Sequence, residues 1–126
     1  MGQYSMDDKV LGRRGEAFAA EYLEGLGFRV AERNFTCRVG EIDLIVVRDR
    51  LLVFVEVKTR RSLAFGSPQE AVVAKKIRHI RRVAQFYLVQ FLRIHRLYAD
   101  FDMRFDVVEV RLAGAGFEIN HIENAF

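Results

Sequence analysis

Apolar and polar positions change period along the chain, and the changes mark the elements. Gly12, Glu16, Ala19, Ala20 and Leu23 recur at helical spacing, which predicts an amphipathic helix from Asp7 or Asp8, either able to cap it, to about Leu26. Gly27 follows as a stop. Phe28 to Phe35 reads as a first strand. Glu41 to Val47 and Leu51 to Lys58, rich in Val, Ile, Leu and Phe, read as two more. Ser67-Pro68-Gln69-Glu70 has the form of a capping box, with Pro68 at the first helical position. It predicts a long helix to about Arg96, with Ile77, Ile80, Ala84, Tyr87, Leu88 and Phe91 as its apolar stripe. Met103 to Leu112 and Phe117 to Ile122 form a final hairpin around Ala113-Gly114-Ala115-Gly116. The order, helix, three strands, helix, two strands, is that of a mixed α/β domain with about five strands flanked by helices; the order of strands within the sheet does not follow from it.

Composition narrows the setting. The chain has 126 residues, 51% of them hydrophobic and 29% charged, ordinary values for a globular protein of one domain. Residues 1–8 precede the first predicted helix as a leader that need not be ordered. One cysteine, Cys37, cannot form an internal disulfide, and a reducing cytoplasm suits it. No apolar run approaches membrane-spanning length, and the first residues lack the apolar stretch of a signal peptide. A membrane role is excluded on that basis. The net charge of +3 understates the arrangement. Lys75, Lys76, Arg78, His79, Arg81 and Arg82 follow one another with no intervening acid, a block suited to an anionic partner.

The middle hairpin carries the candidate chemistry. With a two-residue turn at Asp49-Arg50, Val47 faces Leu52, Ile45 faces Phe54, Asp43 faces Glu56 and Glu41 faces Lys58. Ile42, Leu44 and Val46 then share the opposite face. Asp-Arg is not a favoured turn pair, which leaves a slipped register or a longer turn open. Glu41 with Asp43, and Glu56 with Lys58, share a face in any register. Two carboxylates opposed across a ladder destabilise it, and strands apolar on both faces belong in a covered sheet, where unpaired charge is expensive. A divalent cation or the Lys58 ammonium would offset the repulsion, and Mg²⁺ suits a site of one or two carboxylates. Glu16 lies on the stripe of the first helix that faces the sheet, as a third carboxylate aimed at the same region. The bland alternative is a Glu41–Lys58 ion pair at an exposed strand end, with a solvated Glu16 head on a packed stem.

Asp43, a gap of 12 residues, then Glu56-Val57-Lys58 resembles the PD-(D/E)xK nuclease signature. That spacing alone is weak, but its surroundings are specific. Gly12-Arg13-Arg14-Gly15-Glu16, Ala19-Ala20, Asn34, Gly40-Glu41-Ile42-Asp43-Leu44-Ile45, Phe54-Val55-Glu56-Val57-Lys58-Thr59-Arg60, Arg104-Phe105-Asp106-Val107 and Asn124-Ala125-Phe126 resemble the YraN-like family. These small bacterial proteins are grouped with archaeal Holliday junction resolvases and RecB-type nucleases. The likeness runs from about Gly12 to Phe126. It implies a restriction-endonuclease-like core and a Mg²⁺-dependent endonuclease, with Mn²⁺ as a substitute metal. Glu16, Asp43 and Glu56 would be the acidic positions and metal ligands, with the Val57 carbonyl as a further oxygen, Lys58 the catalytic lysine and Glu41 a support for it. The Pro that precedes Asp in the signature is replaced by Ile42; Pro provides no ligand.

The basic block on the second helix, Lys75, Lys76, Arg78, Arg81 and Arg82, with Arg60 and Arg61 beyond the third strand, is expected to contact phosphates. Lys75 or Lys76 is a candidate to reach the scissile phosphate, and the pattern does not choose between them. DNA, branched or otherwise structured, is favoured over RNA as substrate, and the likeness to junction resolvases implies a homodimer. A non-catalytic nucleic-acid-binding or scaffold protein with the same fold is the rival reading. His79, His95 and His121 lack zinc spacing, and Asp106 is expected to pair with Arg104 along its strand rather than take part in catalysis.

Overall fold

The computed structural model describes residues 7–61, 74–94 and 100–126. The Ser67–Glu70 capping box and His95 lie outside them. The elements are α1 (Asp8–Gly25), β1 (Arg29–Cys37), β2 (Gly40–Arg48), β3 (Leu51–Arg60), α2 (Ala74–Ile94), β4 (Asp102–Ala113) and β5 (Gly116–Ile122). Asp7 decides the start of α1: its Oδ1 accepts a hydrogen bond from the Val10 amide at 2.8 Å. At the other end the Gly27 amide donates to the Glu24 carbonyl and the Phe28 amide to the Leu23 carbonyl. This double closure needs the left-handed backbone of Gly27, whose φ is 94°.

The strands form one mixed sheet in the order β1-β2-β3-β4-β5. Every pair is antiparallel except β3–β4, which is parallel and therefore needs the long crossover that contains α2. Among the described residues the fold is a mixed α/β sheet with two helices, consistent with a restriction-endonuclease-like core. Leu44, Val46, Val53, Val55, Val108 and Val110 meet Ala19, Ala20 and Leu23 of α1 on one face. Ile45, Val47, Phe54 and Val107 meet Ile80, Val83, Ala84, Tyr87 and Phe91 of α2 on the other. With both faces covered, the central strands can be apolar throughout.

The hairpin register holds near its turn: Val47 pairs with Leu52 and Ile45 with Phe54. Asp49 supplies the φ of 53° that a tight hairpin turn requires, a conformation Asp tolerates. Beyond Leu44–Val55 the β2–β3 ladder is not continued. Strand β2 stays with β1 down to Gly40, while β3 stays with β4 out to Arg60. The two central strands part company, so Asp43–Glu56 and Glu41–Lys58 are not ladder partners as the simple register has them.

The shared face of Ile42, Leu44 and Val46 also breaks. Ile42 belongs to the core under α2, whereas Leu44 and Val46 lie under α1. The register places Asn34 opposite Asp43, between the pairs Arg33–Leu44 and Phe35–Ile42. Asn34 has a left-handed φ of 49°, and this local departure from extended backbone is where the alternation fails.

Candidate active site

The parting of β2 and β3 is filled by side chains. Asp43 Oδ2 accepts a hydrogen bond from the Val57 amide at 2.8 Å, replacing the backbone acceptor that a continued ladder would offer. This fixes Asp43 beside Glu56, which is buried at 6% exposure. Burial pushes the Asp43 carboxyl up to about 8; Glu56, close enough to share a proton with it, and Glu16 add to the rise, and the Val57 amide opposes it. Glu56 Oε2 forms ion pairs with Lys76 and, at 3.8 Å, with Lys58. Among the described residues none of its neighbours has the geometry of a hydrogen bond to it.

Glu16 reaches this region because α1 lies unusually close to β3. A Cβ on Gly15 would fall 2.1 Å from Thr59 Oγ1, so only glycine permits the approach. Burial raises the Glu16 carboxyl above its ordinary value; a hydrogen bond with Asn34 opposes that, and Glu41 and Glu56 reinforce it. Asn34 is thus a contributor that the spacing of acids did not reveal. A polar residue in the middle of a strand is itself a signal.

The two lysines differ. Burial, and then the neighbouring Lys76, lower the pKa of Lys58 against the opposing pull of Glu56 and Asp43. Burial also works against the charged form of Lys76, but its contact with Glu56 prevails and raises its pKa. Sequence spacing placed Lys76 with the outward cations of α2. The structure turns it into the site, and its position one turn before Ile80 and two before Val83, both buried, is the pattern that could have shown this.

The remaining predicted residues are more dispersed. Glu41 is exposed, and among the described residues no ion pair joins it to Lys58; it lines a cavity of about 360 Å³ with Gly40, Lys75, Lys76, His79 and Ile80. Lys75, Arg78, Arg81 and Arg82 are exposed on α2. Arg60 pairs with the fully buried Glu109 at 3.2 Å, and Arg61 pairs with Asp8 at 3.1 Å. Both are anchored by acids rather than continuing an open basic track.

A second polar cluster lies under α1. Asp106, 0% exposed, receives Arg104 Nε and Nη2 at 2.8 and 2.9 Å and the Asn124 amide at 3.0 Å. His121 Nε2 is 2.7 Å away, and its Nδ1 meets the Tyr22 hydroxyl of α1 at 2.9 Å. The Arg104–Asp106 pairing was legible along the strand. His121 and Tyr22 were not, although the β4–β5 hairpin register brings His121 diagonally across from Asp106.

Comparison with known proteins agrees with the motifs. The model of the "Uncharacterised protein family UPF0102" matches residues 15–110. The chain belongs to the UPF0102 family. Its relatives include UPF0102 proteins of Alkaliphilus oremlandii (48% identity, covering 94% of this chain and 99% of that protein), Caldicellulosiruptor saccharolyticus (43%, 96% and 100%) and Syntrophomonas wolfei (44%, 94% and 99%). This UPF0102 chain carries all four residues of the acidic and lysine motif, and three of them, Asp43, Glu56 and Lys58, adjoin one another. Among its described residues no helix is long and apolar enough to cross a membrane.

Proposed function

We propose that this chain is a divalent-metal-dependent endonuclease cleaving phosphodiester bonds in DNA, with branched or otherwise structured DNA as the preferred form. The observation that carries the reading is the adjacency of Asp43 and Glu56 where β2 and β3 part. Two carboxyls held together away from bulk water are costly once both ionise, so an arrangement that keeps them adjacent is explained by a cation they serve. The donor chemistry fits Mg²⁺, or Mn²⁺ in its place, which needs only one or two carboxylates alongside water and phosphate oxygens. Among the described residues no three His, Cys, Asp or Glu side chains form a ligand cluster, so water and phosphate oxygens would have to complete the shell. The hard oxygen donors of Asp43 and Glu56 are what such an ion requires, although Glu56 Oε2 is met by Lys76 in the structure.

Asp43 and Glu56 would hold the cation, with Glu16 as a further oxygen ligand, direct or through water. When bound, the ion supplies polarisation of the phosphate and a lowered pKa for water. Lys58 orients the attacking water or stabilises the developing negative charge, and its lowered pKa eases proton exchange. The exposed cations Lys75, Arg78, Arg81 and Arg82 serve the phosphate backbone, giving affinity without sequence preference. Arg60 and Arg61 set the end of β3 against Glu109 and Asp8 and add positive charge nearby.

The test is incubation of the purified protein with Mg²⁺ or Mn²⁺ and a labelled panel of single strand, duplex, flap, four-way junction and RNA. Asp43→Ala and Lys58→Ala run in parallel. Cleavage by the wild type that both variants lose is the expected result. Binding without cleavage under every metal condition would replace the enzyme with a nucleic-acid-binding scaffold.

A further inference from the structure

Lys76 stands apart from the other cations of α2. Its ammonium contacts Glu56 Oε2, the oxygen that the proposed function leaves for a metal ion. It is also 44% exposed, so the side chain can leave without disturbing the core. Lys58 approaches the same oxygen only at 3.8 Å and sits on β3, where its backbone is paired with β4. The site therefore holds two ammonium groups, the more exposed of them on α2, around a buried carboxylate. Removing the partner of a buried charge is strongly destabilising, which gives the metal-free protein a reason to keep a lysine here.

From this geometry we infer that Lys76 is a built-in counter-ion that occupies Glu56 in the metal-free protein and competes with the divalent ion for it. The inference rests on the metal-site reading and deepens it. A divalent ion entering beside two ammonium groups meets repulsion from both, and Lys76 is the one that can withdraw toward solvent. Once withdrawn, it returns to the phosphate-facing side of α2, where Lys75 and His79 border the same cavity. Substrate phosphate would then be met by a cation that had been neutralised before metal arrived. The device keeps an empty site folded and shielded from other cations at the expense of metal affinity.

Manganese titration by calorimetry distinguishes the possibilities, using wild type, Lys76→Met and Lys76→Arg at alkaline pH, where the carboxyls are ionised. Lys76→Met is expected to bind Mn²⁺ at least about tenfold more tightly, because a positive charge beside the ion is removed and the Glu56 oxygen no longer has to be freed from it. Lys76→Arg should remain near wild type. Thermal unfolding without metal should show Lys76→Met melting below wild type, with a larger gain on adding Mn²⁺. Unchanged or weaker Mn²⁺ binding by Lys76→Met would overturn the counter-ion role while leaving the metal site standing. Absence of Mn²⁺ binding by all three proteins would remove the metal site and the counter-ion with it.

Discussion

Asp106 and Asp43 both stand in clusters withdrawn from water, and their surroundings could hardly differ more. Asp106 is enclosed by donors: two guanidinium N–H groups of Arg104, the Asn124 amide and His121. Burial alone would raise its pKa, but these hydrogen bonds hold it below its ordinary value. Asp43 has one donor, the Val57 amide, and its other neighbours include the carboxyls of Glu56 and Glu16, so its pKa is driven the opposite way. A buried charge with saturated partners is a structural device that ties β4, β5 and α1 together. The Asp43 cluster has no such saturation, and its carboxyls crowd one another. The contrast separates the two clusters more clearly than burial does.

The largest effect expected from breaking this contrast is on stability. Asp106→Ala should destabilise the protein by about 3–5 kcal/mol, because it leaves Arg104 and His121 without their buried partner. Asp43→Asn should do the reverse in metal-free solution, raising stability near neutral pH. Chemical denaturation across pH checks both. With its carboxyl pushed up to about 8 from an ordinary 3.8, folded Asp43 keeps a proton that the unfolded chain releases, so metal-free stability should fall as pH rises between those values. Asp43→Asn should flatten that slope. The Asp106 contribution has the opposite sense: complete above its ordinary value of 3.8, and lost as pH falls through its lower folded value. A wild-type stability that rises steadily from acid to neutral pH would contradict the environment assigned to Asp43.

A smaller effect, shared by both regions, should follow Gly15→Ala. Helix α1 brings Glu16 to one cluster and Tyr22 to the other, and its seat depends on the missing Cβ above Thr59. Overpacking there should cost about 1–3 kcal/mol. Adding Thr59→Ala should recover part of it, measured as the melting temperature of the double variant. The mildest change should come from Arg78→Gln, Arg81→Gln and Arg82→Gln together. These residues are exposed, so stability should hold while DNA affinity weakens and its salt dependence flattens. An unchanged salt slope would make this face of α2 merely solvated.

Much of the framework was readable because its causes are local. Asp7 at the N-cap, Gly27 at the C-terminal stop and the paired apolar residues around Asp49-Arg50 each act within a few positions. The register of Val47 with Leu52 followed from them. The parting of β2 and β3 was not readable. It depends on the backbone of Asn34 in one neighbouring strand and on the parallel pairing of β3 with β4, which joins segments far apart in sequence. The same division holds for the site. Asp43, Glu56 and Lys58 were visible as a motif, and Glu16 as a charged residue on an apolar stripe. The pairing of Lys76 with Glu56 required the rotational setting of α2 against the sheet, which Ile80 and Val83 determine only once packed. His121 was hidden for a related reason, since its partner Asp106 is defined by a hairpin register rather than by proximity in the chain.

The most direct test of the claim that only the Asp43 cluster serves a metal is the shift in melting temperature on adding Mn²⁺ at low salt. Wild type, Asp43→Asn and Asp106→Asn would be compared. The account predicts that Mn²⁺ raises the melting temperature of the wild type and of Asp106→Asn, which starts lower, and leaves Asp43→Asn unmoved. An equal rise in Asp43→Asn, or no rise in the wild type, would contradict it.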